Sequence, residues 1–205
     1  MRFLGLTEAQ RQHTHAGIEL CETHGLMAWL PILKLSQATL ATQQPDRESI
    51  EAGIEDILEC YNMWTDAGAG MFTPWFNYEV AAAKLALGDL TAAENYLERA
   101  KQCCRDNDEH WLEPDVLCLE AALNEASETD PETVSQMYAA ATTSARAMGA
   151  NLAGRKTSLA HARFLAGIGN RQKALDVLRD ADNIVDSARN LSLHHEEKEL
   201  IEMMS

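Results

Sequence analysis

Proline is scarce in this chain, five in 205 residues, so helices meet few interruptions. Basic side chains are scarce too: 17 Lys and Arg stand against 32 Asp and Glu, a formal net charge of −15. A surface of that sign repels phosphate backbones and anionic lipid headgroups, which argues against nucleic acid and membrane as partners. No apolar run approaches the roughly 20 residues of a membrane helix. The opening stretch MRFLGLTEAQRQ also lacks the apolar segment of a signal peptide. The five cysteines, Cys21, Cys60, Cys103, Cys104 and Cys118, include no CxxC pair. Their odd number, in a chain long enough to fold without staples, fits a reducing compartment, and the expected location is the cytoplasm. No GxxxxGKS or GxxxxGKT phosphate loop occurs, so a nucleotide-hydrolysing step is not expected here.

What the chain does have is a register. Gly53, Ala93, Val134 and Ala174 stand 40, 41 and 40 residues apart, and Ile57, Leu97, Tyr138 and Leu178 follow each by four. Cys60, Ala100, Ala141 and Ala181 follow by seven, and Ala81, Ala121 and Ala162 precede three of the four by 12, 13 and 12. Ala38 is a looser match ahead of Gly53. A period near 40 means stacked helix pairs, and small residues at such positions let two helix backbones approach closely.

Helix ends are marked by breakers and caps. Pro31, Pro74 and Pro114 open helices, since proline is tolerated in a first turn. Gly25, Gly68 and Gly149 hold the turns between pairs. Within pairs the turns read Gln44-Pro45-Asp46, Gly88-Asp89, Thr129-Asp130-Pro131 and Gly169-Asn170, a breaker beside a capping side chain each time. The expectation is ten helices and no strand, at 7–24, 27–43, 46–66, 72–87, 90–106, 112–126, 131–148, 151–167, 171–188 and 191–203. They form a single all-α helical-repeat domain over 1–205. Its four pairs are 27–66, 72–106, 112–148 and 151–188, flanked by helix 7–24 and by a capping helix, 191–203, whose Glu196-Glu197-Lys198-Glu199 run is read as a face toward water.

Two of these repeats, Gly88-Asp89-x3-Ala93-x3-Leu97-x2-Ala100 and Gly169-Asn170-x3-Ala174-x3-Leu178-x2-Ala181, resemble tetratricopeptide repeats. They depart from them in running near 40 residues where about 34 is usual, and in placing Gly53 and Val134 where alanine is expected. Further stretches are similar to the C-terminal repeat region of large bacterial adenylate or guanylate cyclase and ATPase signalling proteins. These are Trp111-Leu112-Glu113-Pro114-Asp115-Val116, Ala139-x-Ala141-x3-Ala145-x2-Met148-Gly149-Ala150 and Leu159-Ala160-x2-Arg163. The resemblance covers residues 20 to 190. It implies a right-handed α-α superhelix and a non-catalytic interaction or regulatory module, the tail of a longer signalling polypeptide. It also implies that the first helix of each pair lines the binding surface, so that Lys34, Asn77, Lys84, Arg155, Lys156 and Arg163 face a bound protein or peptide. A cationic stripe in an acidic body would favour an acidic segment, a C-terminal carboxylate or a neighbouring domain. Exposed ends of such a stack can also pair, which admits a homodimer.

Other chemistry is weaker in this sequence. Gly68-x-Gly70 and Gly167-x-Gly169 begin like dinucleotide loops but follow no strand, and read as helix stops. Cys103 and Cys104 are adjacent on a helix, pointing about 100° apart, with no ligand spacing for zinc. No catalytic residue, cofactor or metal site is expected. Arg155, Lys156, His161 and Arg163 read more readily as balanced surface charge, and Trp29, Trp75, Phe76 and Trp111 as plugs between helix pairs rather than a ligand groove. The alternative function is a sensor that holds a small molecule or nucleotide within the repeat, which needs a pocket with converging polar groups.

Overall fold

The computed structural model describes residues 7–182 and 192–204. Among them there is no strand. The ten α-helices are α1 Thr7–His24, α2 Leu30–Ala41, α3 Arg47–Asp66, α4 Thr73–Ala86, α5 Leu90–Asn107, α6 Glu113–Ala126, α7 Pro131–Ala147, α8 Asn151–Gly167, α9 Arg171–Asp182 and α10 Ser192–Met204. A 3-10 turn, Met27–Trp29, leads into α2, which therefore starts three residues later than expected. Residues 183–188 of the expected helix 171–188, and residue 191 of the expected cap, lie outside the described residues. The chain divides between His110 and Trp111 into two compact units.

Local chemistry accounts for the helix boundaries. Asp46, Asp89 and Asp130 each accept a hydrogen bond from the backbone N–H three residues on, at 2.8, 3.2 and 3.0 Å, satisfying donors that the first turn leaves orphaned. Proline sits in the first turn of α2, α4, α6 and α7, where no N–H is needed. The residue just beyond several helices is left-handed, as at Gly25, Gly68, Gly88, Gly149 and Gly169. Where the same turns recur without glycine, Asp108 (φ 55°) and Glu128 (φ 57°) take that conformation instead.

The repeat register is the packing register. Ile57, Ala81, Ala100, Ala121, Val134, Ala141, Ala162, Ala174 and Ala181 are all 0% exposed, and Ala93, Leu97, Tyr138 and Leu178 at most 3%. Residues four and seven apart share a helix face, so each column forms the inner stripe of one helix.

In the first unit α2 packs on α3 and α4 on α5, with α3 also against α4. Its core joins Leu35, Ile54, Ile57, Trp64, Phe76 and Val80. The crossing of α2 and α3 is close. A Cβ built on Gly53 would stand 2.8 Å from Thr42 Cγ2 and 3.0 Å from both the Ala38 carbonyl oxygen and the Thr42 nitrogen. Ahead of α4, Phe72 is left-handed (φ 66°). Its N–H donates to both Glu109 carboxylate oxygens, at 3.0 and 3.1 Å, and Asn107 donates to the Gly70 carbonyl at 2.8 Å. The end of α5 thus holds this strained turn in place.

In the second unit α7 packs on α6 and α8, and α8 on α9. The helix α8 also meets α6 on one side and α10 on another. Leu200 and Met204 of α10 join Leu159, Ala162, Leu165 and Leu178 in one core, so the C-terminal helix is an integral layer.

Candidate functional site

The six residues expected to face a partner fall in different settings. Lys34, Asn77 and Lys84 belong to the first unit, and Arg155, Lys156 and Arg163 to the second. The three cations of α8 are all engaged by carboxylates of their own chain. Arg155, 2% exposed, donates through Nε to Glu197 Oε1 at 3.1 Å and through Nη2 to Glu197 Oε2. Lys156 Nζ reaches Asp115 Oδ1 on α6 at 2.5 Å, and Arg163 Nη2 reaches Glu196 on α10 at 2.5 Å. Adjacent basic residues thereby tie α8 in opposite directions, to α6 and to α10. Glu197 is 4% exposed, so the acidic run of α10 turns one carboxylate inward while Lys198 and Glu199 face water.

Around His161 a second polar cluster knits α7 to α8. The ring stacks on Tyr138 with centroids 5.8 Å apart, and its Nε2 lies 2.9 Å from Ser135 Oγ. Burial, followed by the charge of Lys173, lowers the His161 pKa and favours the neutral ring. Tyr138 donates to Glu125 at 2.8 Å. Thr142 and Thr157 hydroxyls bond at 3.0 Å, whereas the buried Ser158 hydroxyl finds no protein partner. Nearby, burial raises the Cys118 thiol to about 12, with Asp115 adding to the effect. Among the described residues no group of three His, Cys, Asp or Glu side chains could hold a metal ion.

In the first unit, Lys84 lies 3.7 Å from Asp89. Lys34 lines a hollow between α2 and α3 that also carries Asp56 and Glu59. Asn77 is placed differently. It lies on the floor of a groove of about 400 Å³ walled by α3 and α5. Phe76 and Val80 share that floor, Ile57, Leu58, Tyr61 and Asn62 form one wall, and Tyr96, Arg99, Gln102 and Cys103 the other.

Asn77 is 6% exposed. Its amide nitrogen donates to the Thr73 carbonyl at 2.9 Å and points to Cys103 Sγ at 3.9 Å. Its carbonyl oxygen accepts no hydrogen bond among the described residues, and neither the Tyr61 hydroxyl nor the Asn62 amide has a partner there. Arg99 lies over the Tyr96 ring, its Cζ 5.0 Å from the centroid. The groove thus joins an apolar floor to several polar groups with bonding capacity unspent, the composition of a binding site.

Sequence reasoning singled out Asn77 and passed over Arg99, though a signal existed. The residues three and four away from Arg99 are Asn95, Tyr96, Gln102 and Cys103, so no carboxylate sits at the one-turn spacing that pairs charges along a helix. Lys101, by contrast, has Glu98 at 3.9 Å. The aromatic plugs are only partly realised: Phe76 is 1% exposed, but Trp29 is 50% and Trp111 39% exposed, because both precede their helices in turns rather than lying on an inner stripe.

No protein-family model matches this sequence, and no curated protein matches it either.

Proposed function

We propose that this chain is a non-catalytic interaction module, a tetratricopeptide-like α-α superhelix that takes a peptide of a partner protein in the α3–α4–α5 groove. The observation that carries this reading is the groove itself, where Asn77, Tyr61 and Asn62 retain hydrogen-bonding capacity over an apolar floor. The cations of α8, by contrast, are matched within the chain, as Arg155 and Lys156 are. A bound peptide backbone would supply both the donors and the acceptors that these groups can use.

The volume favours a second reading, a small-molecule sensor, because about 400 Å³ falls within the range of ligand pockets. One pair of measurements separates them. Backbone amide shifts recorded during titration with an unbiased peptide library are expected to move at 57–62, 76–80 and 96–103 and to leave α8 unchanged. Thermal shift against a panel of nucleotides and metabolites is expected to leave Tm unmoved. A metabolite that raises Tm by mass action, with no peptide response, would replace the first reading by the second.

The similarity of the Trp111–Val116, Ala139–Ala150 and Leu159–Arg163 motifs to cyclase-linked repeat regions supports placing the module in a nucleotide-cyclase type of signalling protein. Sequencing the transcript around this reading frame tests that placement.

A further inference from the structure

We infer that the α3–α4–α5 groove recognises an internal acidic residue of an otherwise apolar peptide segment, with Arg99 as the anchor for its side-chain carboxylate. This rests on the peptide-binding reading above and adds the chemistry of recognition.

Charge is the first argument. Among the eleven residues that line this groove there is one guanidinium and no carboxylate, in a chain with 32 acidic residues against 17 basic ones. Two further hollows carry their own neutralising acids, Asp56 and Glu59 beside Lys34, and Asp115 beside Lys156. Unlike those two, the α3–α4–α5 groove has no carboxylate in its lining beside its cation.

Geometry is the second. The Tyr96 ring meets the Arg99 guanidinium in a cation–π contact, and the planar fork of N–H donors suits a two-point bond to a carboxylate. The ring also limits the rotamers the side chain must give up on binding.

Position is the third. From Tyr96 to Cys103 the α5 wall runs about 10 Å at ~1.5 Å per residue, room for about three extended residues at ~3.3 Å each. Arg99 lies within that wall, with Tyr96 before it and Gln102 and Cys103 after it. A chain laid along α5 continues past Arg99 on both sides, which favours a side-chain carboxylate over a chain terminus. Ile57, Leu58, Phe76 and Val80 supply the apolar surface for the neighbouring residues, and the Asn77 oxygen accepts a backbone N–H.

The test uses the full chain and fluorescent hexapeptide pools, acetylated and amidated, with the central position fixed as Asp or Glu, as Asn or Gln, or as Lys, and read by fluorescence polarisation. The acidic pools are expected to bind about ten-fold tighter than the amide pools, as a charge-assisted bond does over a neutral one. Arg99→Ala should erase that difference while weak binding of the amide pools persists, and Arg99→Lys should restore part of it. Arg99 is exposed and touches the core only through the Tyr96 ring, so both variants should keep the wild-type circular dichroism with at most a small drop in Tm. Equal binding of acidic and amide pools, or an acidic preference that survives Arg99→Ala, overturns the inference and leaves the peptide-binding reading intact. Pools with a free C-terminal acid that bind only through that terminus overturn it as well. Binding by no pool at all overturns both.

Discussion

Arg155 on α8 and Glu197 on α10, 42 residues apart, share an ion pair in which the side chains are 3% and 5% exposed. Two charges withdrawn from water are tolerable only while they satisfy each other. Removing one partner takes from the other its opposite charge. Glu197→Gln or Arg155→Ala should therefore destabilise the second unit by about 3–5 kcal/mol, while the apolar pair Arg155→Met with Glu197→Leu should be no less stable than wild type. Urea unfolding followed by far-UV circular dichroism measures all three.

Gly53 marks a close helix crossing in the first unit. Two of the three atoms a Cβ would meet there, the Ala38 oxygen and the Thr42 nitrogen, are backbone atoms at 3.0 Å, which cannot swing aside. Gly53→Ala gains helix propensity but must push α2 away from α3, and a net loss of about 1–3 kcal/mol is expected in the same unfolding measurement.

Glu128 occupies a turn whose counterparts in neighbouring pairs are Gly88 and Gly169, all with positive φ. An L side chain pays about 1–2 kcal/mol for that conformation. Glu128→Gly should raise stability by about 1 kcal/mol, and Gly88→Ala should lower it by about the same amount. No atom lies within 4 Å of a Cβ placed on Gly88, so the backbone angle alone would account for that loss. Calorimetry of both variants checks the sign as well as the size.

Burial raises the thiol of Cys60 to about 11 and that of Cys118 to about 12. The thiolate is the nucleophile, so at pH 8 both should be alkylated by iodoacetamide at least about ten-fold more slowly in the native chain than in urea, the greater nucleophilicity of a higher-pKa thiolate offsetting part of the loss in its population. Mass spectrometry of peptides after timed quenching reads each site separately. Comparable native and unfolded rates would mean that these helices open readily.

Much of the helical layout was legible in advance. Aspartate caps at positions 46, 89 and 130, prolines in first turns and left-handed glycines act over three or four residues, and the helices begin and end within a few residues of where those signals put them. Asp108, Glu128 and Phe72 were not legible, because nothing in their chemistry announces a positive φ. Of the residues lining the groove, Asn77 had been singled out from its place in a first helix. Tyr61, Asn62 and Arg99 were missed because they come from second helices, where the resemblance directed no attention.

The amino-acid order by itself determined which face of each helix turns inward. Spacings of four and seven on a 3.6-residue turn leave a small or apolar residue one choice of side, and all the repeated columns are indeed buried. Only the tertiary structure decided which charges are consumed and which are left over. Lys156 finds Asp115 41 residues away and Arg155 finds Glu197 42 residues away, whereas Arg99 meets an aromatic ring. Coulomb attraction depends on distance through space, and periodicity along the chain carries no record of it.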